Sequence, residues 1–513
     1  MVVAVALEVT VSGCQSTVYQ AKFARPTEPH AIDAGAPFLK CHMGDGRLYV
    51  LQSWHIDVPA GEVTGDGILY DAARVAPPGV HAHHVAMADV VLFETNRPET
   101  LTHYELAGLV VVTTASLALS TLCLTTPKAC FGSCPTFYTS DGEHEVLEAE
   151  GFSASVARAF EATDVDALWT ARPAGPDVSV RMTNEALETH MVDSVRLLAA
   201  PRPAGGRVLR AGDVYYPATG LAAPVRCESP AGSCVAEVEH ADEREYRSLA
   251  SEHDLAERET IEVAFAARPE RRGKLGLLIA ARNSLLNTFV FYQGLAYMGA
   301  HAGEWFARLE AAGADASRFS GFGARLGGID VSVPTARGWE KAGAFMEVGP
   351  IAREVQLVVL PEERPEGEVR VRLDLVRGNW KLDQLALVDL GEPVTPVALV
   401  PIEVTKDGRP LPDAREKLLE GGAHLVTYPG DAYVLHFHLP DLPGAALPEL
   451  FLESRGYYYE WMREDWLKEE NPFEVARILL DPDGAMKRLA PGYKRIEGQM
   501  ESVFWQSRFG RAR

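Results

Sequence analysis

Cys130 and Cys134 are separated by three residues in the run Thr126-Pro127-Lys128-Ala129-Cys130-Phe131-Gly132-Ser133-Cys134-Pro135-Thr136-Phe137-Tyr138. No other feature restricts the fold as much. If the loop turns at Gly132, the two Cα atoms can approach the ~5.5 Å of a disulfide. Phe131 is then displayed at the tip, and Pro135 stiffens the exit. The rival reading is half of a metal site, but zinc spacing requires a second ligand pair, and none follows at a usual distance. A redox pair would more often be C-x-x-C. The cellular compartment decides between cross-link and free thiols.

The first residues bear on compartment. Val2 to Ala6 are apolar, and Val11-Ser12-Gly13-Cys14 is the aliphatic-small-small-Cys pattern that precedes a lipidated cysteine. No Lys or Arg follows Met1 directly, and Glu8 interrupts the apolar stretch. The alternative is a buried N-terminal strand, because Val9 and Val11 alternate with Thr10 and Ser12. With Cys14 lipidated, Gln15 in place of an aspartate favours the outer membrane, on its periplasmic face or at the cell surface. With Cys14 unmodified, the chain is cytoplasmic.

The chain holds seven cysteines. If Cys14 carries lipid, the even remainder suits a disulfide framework: Cys130 with Cys134, Cys227 with Cys234, and Cys41 with Cys123 as the leftover pair. Net charge is −22, which opposes a nucleic-acid partner. The 33 prolines and 44 glycines are spaced along the chain and suit many short strands and turns.

These patterns predict a mainly β protein with helical insertions (α+β). After the signal (1–14) comes a polar tether (15–35). Residues 36–104 read as a small β-barrel-like domain with about five strands. It includes the hairpin Phe38 to Trp54 around Gly44-Asp45-Gly46. Residues 105–200 hold an apolar segment, the Cys loop and a β unit with a hairpin at Asp141-Gly142. The apolar run 106–124 is long enough to span a bilayer, yet its five Ser/Thr and its direct lead into a Cys loop favour a buried helix or two strands. Residues 201–328 form a β unit with a long apolar helix, capped by Ser284 and beginning at Leu285. Leu275 to Ala281 reads as a strand buried on both faces. Residues 329–447 suit a β-sandwich, and 448–513 an aromatic helical tail. There, Asn471-Pro472-Phe473-Glu474 is a strong helix start.

Candidate chemistry is sparse. Glu185, Glu188, His190 and Asp193 fall within nine residues and could make a metal or acid/base site. On a connection between strands such groups are more often solvated or capping. His81 with His83, and His436 with His438, share strand faces but have no further ligand at an obvious offset. Phe289, Phe291, Tyr292, Tyr458, Trp461 and Trp466 are either core or a contact surface for a protein partner.

The N-terminal two-fifths resemble a family of uncharacterised bacterial lipoproteins. The resemblance rests on the lipobox, G-D-G-x-L-Y-V-L-x-S-W (Gly44 to Trp54), L-Y-D-A-x-R (Leu69 to Arg74), F-E-T-N-R (Phe93 to Arg97) and P-K-A-C-F-G-S-C-P-T-F. The segment from W-x-L-D-x-x-A-L-V (Trp380 to Val388) through F-L-E-S-R-G-Y (Phe451 to Tyr457) resembles the β-domains that trail ASPIC/UnbV repeat proteins. Neither resemblance implies a catalytic residue or a cofactor.

The sequence contains no nucleophile elbow, phosphate loop, dinucleotide fingerprint, H-E-x-x-H, haem site or EF-hand loop. The expectation is a lipid-anchored cell-envelope protein, held to the membrane by its N-terminal lipid. It serves as a binding or structural component of a membrane-associated assembly. The alternatives are a periplasmic metal-dependent hydrolase and a cytosolic scaffold.

Overall fold

A computed structural model describes residues 16–43, 47–70, 78–101, 134–153, 155–156, 158–266, 273–299, 302, 326–346, 349–361, 367–419, 421, 423–441, 448–461 and 469–507. The chain divides into two compact units, Met1–Cys130 and Phe131–Arg513. The architecture is mainly β with helical insertions, as expected.

The first unit is one antiparallel sheet, A. Its strands are β1 (Ser16–Ala24), β2 (Leu39–Met43), β3 (Leu48–Asp57), β4 (Glu62–Tyr70), β5 (His81–Ala86) and β6 (Val90–Leu101), in the order β1-β6-β2-β3-β4-β5. The hairpin β2–β3 pairs Leu39 with Leu51, as its alternation predicts. Two expectations are corrected. Ser16–Ala24 is not a tether but an edge strand, paired along its whole length with β6. The sheet is also not a barrel, because the terminal strands β1 and β5 do not pair with each other.

Period-two alternation gives sheet A two distinct faces. Leu39, Cys41, Met43, Leu51 and Phe93 form one core. Lys40, His42 and Glu94 are buried on the other side. Lys40 lies directly across from Glu94 and bonds to it at 2.9 Å.

The second unit is a stack of four sheets. Its strands up to residue 200 are β7 (Thr136–Ser140), β8 (Glu145–Glu150), β9 (Ala162–Ala167), β10 (Asp177–Thr183) and β11 (Glu188–Ala200). Then follow β12 (Arg207–Ala211), β13 (Val214–Ala222), β14 (Arg226–Ser229), β15 (Gly232–Ser233), β16 (Tyr246–Arg247), β17 (Arg258–Phe265) and β18 (Leu275–Asn283). Next are β19 (Ile329–Thr335), β20 (Gly338–Phe345), β21 (Glu354–Val359), β22 (Val369–Val376) and β23 (Trp380–Leu390). The last are β24 (Val397–Leu399), β25 (Glu403–Lys406), β26 (Arg409–Pro410), β27 (Leu425–Thr427), β28 (Ala432–His438) and β29 (Glu449–Glu460).

Sheet B runs β26-β25-β28-β10-β7-β8, and sheet C runs β24-β11-β29-β9. Sheet D runs β12-β13-β23-β18-β21, and sheet E runs β15-β14-β17-β22-β19-β20. B and C therefore use residues before 201 and after 396, while D and E use the stretch between. One pair of sheets is inserted into the other. The region 329–447 is not a self-contained sandwich, because its strands are shared between both pairs.

Alternating side chains build the stack. In β11, Val195 and Leu197 pack toward B, whereas Leu198 and Ala200 pack toward D. In β18, Leu277 and Ile279 face E while Leu278 and Ala280 face C. The predicted double burial of Leu275 to Ala281 is thus realised, and it follows from the central place of β18 in the stack.

Five helices accompany the sheets among the described residues. They are α1 (Val235–Val238), α2 (Leu286–Met298), α3 (Pro412–Leu419), α4 (Pro472–Leu480) and α5 (Pro482–Ser507). Asn471 accepts the Glu474 N–H at 3.3 Å, so that predicted cap forms. Helix α2 begins one residue later than expected, with Leu285 at its cap position, and Ser284 Oγ, one residue before it, accepts the Leu286 N–H at 3.0 Å. The tail is helical only after a strand. Glu449–Glu460, expected as helix, is β29 and pairs with β11 over twelve positions. Its apolar residues alternate between two cores, a pattern a helix would not give. A 3-10 turn lies at Arg158–Phe160.

Candidate functional site

The structure separates the four ionisable residues of the 185–193 cluster. Strand β11 begins at Glu188, so Glu188 and His190 sit on a central strand and not on a solvated connection. They are fully buried and bonded to each other at 3.1 Å. Glu185 accepts hydrogen bonds from Tyr138 (2.6 Å) and Thr183 (2.8 Å). Trp461 donates to Thr189 at 2.8 Å, and Tyr292 donates to Glu460. The Tyr458 ring meets His190 edge-on. Glu188, His190, Tyr458, Glu460 and Tyr292 form a polar knot that ties α2 to sheet C.

The knot also corrects the contact-surface reading. Phe289, Tyr292, Tyr458 and Trp461 are buried in the fold. Phe289 packs on Tyr493 of α5, and half-buried Phe291 packs on Tyr292. Trp466 lies outside the described residues. Among the described residues of the tail, the exposed large apolar side chains are instead Phe473 (82 %) and Leu480 (87 %), both on α4.

Among the cysteines, Cys227 and Cys234 form the expected disulfide inside the core between D and E. Cys41 and Cys134 are buried free thiols, so neither is half of a cystine. Burial alone pushes the Cys41 thiol well up, while the Cys134 thiol is pushed up by burial together with the nearby Glu150, Glu188 and Glu460 carboxylates, of which Glu150 is hydrogen-bonded to it. Their expected partners, Cys123 and Cys130, lie outside the described residues, as do Cys14 and the run 106–124. The histidine pairs on strand faces serve local bonds: His83 to the Gly67 carbonyl at 3.2 Å, and His438 to Asp177 at 2.7 Å.

Asp193 belongs to a different group. The β11–β29 register shifts between Val192 and Ser194, leaving Asp193 as a bulge. A bulge re-aims its side chain. Here it brings Asp193 together with Glu161 and His424, whose ligand atoms all lie within 4.8 Å of one another. Two carboxylates and an imidazole suit a zinc-type ion. A cation is already present: Arg455 Nε lies 3.6 Å from Glu161 and 3.5 Å from Asp193.

A second acidic site lies where sheets B, C and D meet. A cavity of about 160 Å³ is lined by Glu150, Asp164, Asp166, Arg210, Glu354 and Gln356, among others. Asp164 and Asp166 are two residues apart on β9 and therefore share a face. Burial pushes the Asp166 and Glu354 carboxyls up, and each acid also feels the Asp164 charge. Burial likewise raises Asp164, against the pull of Arg210 and of the Val165 and Phe152 amides. Phe152 holds a left-handed backbone, φ 39°, unusual for a bulky residue. None of Asp164, Asp166, Glu354, Glu161 or His424 stood out in the sequence. The one available signal was Asp164-Val165-Asp166, a pair of acids on one face of a strand.

No family model and no curated protein sequence matches the chain. Among solved structures, it is similar to a β-porphyranase of glycoside hydrolase family 86 from the human gut bacterium Bacteroides plebeius. That match has 7 % identity and TM-score 0.17, covering 49 % of this chain and 40 % of that one. It is also similar to a GH31 α-xylosidase from Xanthomonas citri, at 10 % identity and TM-score 0.17, covering 88 % of this chain and 38 % of that one. The chain thus spans about two-fifths of the length of each. At such overlap neither enzyme bears on function here.

Proposed function

We propose that this chain is a lipid-anchored cell-envelope protein that acts as a binding or structural component of a membrane-associated assembly. The observation that carries this reading is the Cys227–Cys234 bond, closed within the D–E core. Such bonds persist in oxidising compartments and are rare in the cytosol. The lipobox-like Val11-Ser12-Gly13-Cys14 agrees with that address. A layered β body with its aromatic side chains turned inward suits a scaffold, and the apolar face of α4 around Phe473 and Leu480 suits a protein contact. Membrane fractionation at native expression, with mass analysis of the N-terminal peptide, tests the reading. It expects an acylated Cys14 in the membrane fraction. A soluble chain with unmodified Met1 contradicts it.

A second reading, a periplasmic metal-dependent hydrolase, is favoured by one observation: the convergence of Glu161, Asp193 and His424. In that case zinc would displace Arg455 from between the carboxylates. Elemental analysis of the purified protein separates the two readings, because the hydrolase requires stoichiometric zinc, abolished by His424→Ala.

A further inference from the structure

We propose that the cleft between α5 and the ends of β16, β18 and β23 binds a small carboxylate with a short apolar tail. Its polar wall is a row of cations on one face of sheet D. Arg247 on β16 lies directly across from Lys381 on β23, and Lys381 lies directly across from Arg282 on β18. All three line the cleft. Like charges in directly opposed positions destabilise a sheet, so a row of three needs anions facing it.

The chain supplies those anions only in part. Arg282 holds Glu245 through Nε at 2.6 Å and Nη2 at 2.8 Å, and Nη2 also reaches Glu501 of α5 at 2.8 Å. Lys381 donates to Glu501 as well. Arg247 is left over: it approaches Glu501 only at 3.8 Å, and its side chain is 65 % exposed. Glu497, the other acid in the lining, is engaged by Lys494 at 2.6 Å and by the Ala250 N–H at 2.7 Å. Four cations (Arg247, Arg282, Lys381, Lys494) thus face three carboxylates (Glu245, Glu497, Glu501). The excess is one positive charge, in a chain whose net charge is −22. Burial and the Arg282 charge both hold the Lys381 ammonium below its ordinary range, so a further anion here would be welcome.

The rest of the lining selects the tail. Leu249, Leu285, Met500 and Trp505 give an apolar wall to a cavity of about 90 Å³. A cavity that takes benzene measures about 150 Å³, so only a short tail enters. Leu249 is 60 % exposed, which puts the start of that wall at the mouth. Gly498 of α5 is a second, independent sign. Glycine inside a helix is destabilising relative to alanine, yet a Cβ at Gly498 would meet nothing beyond its own helix within 4 Å among the described residues. Packing does not call for a glycine there, whereas an open cleft does. The ligand's carboxylate would pair with the planar fork of Arg247 and with the Lys381 ammonium, and its tail would lie along Leu249 and Met500. Apolar surface with a few convergent charged groups is the usual make-up of a small-molecule site.

The test uses the full chain, titrated with sodium hexanoate by calorimetry, with 1-hexanol and hexylamine as the neutral and cationic counterparts. Gly498→Leu fills the cleft, and Arg247→Gln removes the leftover cation. Both positions are exposed, and circular dichroism verifies the fold. Arg226→Gln is the control, on sheet E and paired with Glu368 at 3.1 Å. The expected result is saturable hexanoate binding with a Kd of about 1 mM or tighter. It should weaken at least about fivefold in Arg247→Gln, vanish in Gly498→Leu and stay unchanged in the control. The alcohol and the amine should bind at least about tenfold more weakly than the acid. No saturation by about 20 mM hexanoate overturns the proposal. So does parental binding by Gly498→Leu or Arg247→Gln, or binding of 1-hexanol as tight as that of hexanoate.

Discussion

Arg207 on β12 grips Glu449 on β29 with Nε at 2.8 Å and Nη2 at 2.6 Å, while its guanidinium stacks 3.5 Å from the centre of the Trp169 ring. The pair is buried and links sheet D to sheet C across 242 residues of sequence. Glu449 also accepts the Val208 N–H at 3.0 Å. Glu449→Gln leaves a buried guanidinium without its counter-charge, an expected loss of about 3–5 kcal/mol. Urea unfolding of variant and parent measures it. An unchanged midpoint would show that the contact adds nothing.

Glu94 sets the acid limit of sheet A. Burial alone would raise its carboxyl, but the Lys40 ammonium and the His42 ring, each 2.9 Å away, hold it down at about 2. A depressed folded value means the stabilisation is complete above the ordinary carboxylate range. It is lost as pH falls from about 4.5 toward about 2. The loss is on the order of 3 kcal/mol, at about 1.4 kcal/mol for each pH unit of that window. Denaturant midpoints of the parent should drop through that window, while Glu94→Gln should start lower and vary less with pH.

The Cys227–Cys234 bond closes a short loop, with a sequence separation of 7. Loop-closure entropy for so small a ring gives roughly 2–3 kcal/mol. The double variant Cys227→Ala/Cys234→Ala should unfold at correspondingly lower urea. Reducing agent should destabilise the parent and leave the double variant unaffected.

Asn471 caps α4 through the Glu474 N–H. Asn471→Ala should cost about 1 kcal/mol. The change should appear first as faster amide exchange in the first turn of α4, with sheets B to E unaffected.

The cap at Asn471 was legible because its chemistry is local: an acceptor, a proline and an acid in consecutive register. The same holds for the β2–β3 hairpin, for the double burial of Leu275 to Ala281 and for the Cys227–Cys234 loop. What the sequence hid is non-local. Residues 449–460 looked helical because the partner that makes them a strand, β11, lies some two hundred and fifty residues earlier. Glu188 and His190 looked solvated because Glu460 and Tyr292, which share their pocket, come from distant segments. The cavity acids were missed for the same reason. Asp164 and Asp166 are ordinary at the end of a strand until Glu354 is folded against them.

The oxidation state of Cys227 and Cys234, in protein isolated at native expression without reductant, tests the proposed oxidising compartment most directly. Alkylation of the denatured, unreduced chain followed by peptide mass mapping reads it. The expected result is a 227–234 peptide carrying no alkyl group until reduced, while Cys41 and Cys134 are alkylated at once. Alkyl groups on both Cys227 and Cys234 in the unreduced sample would contradict the envelope assignment.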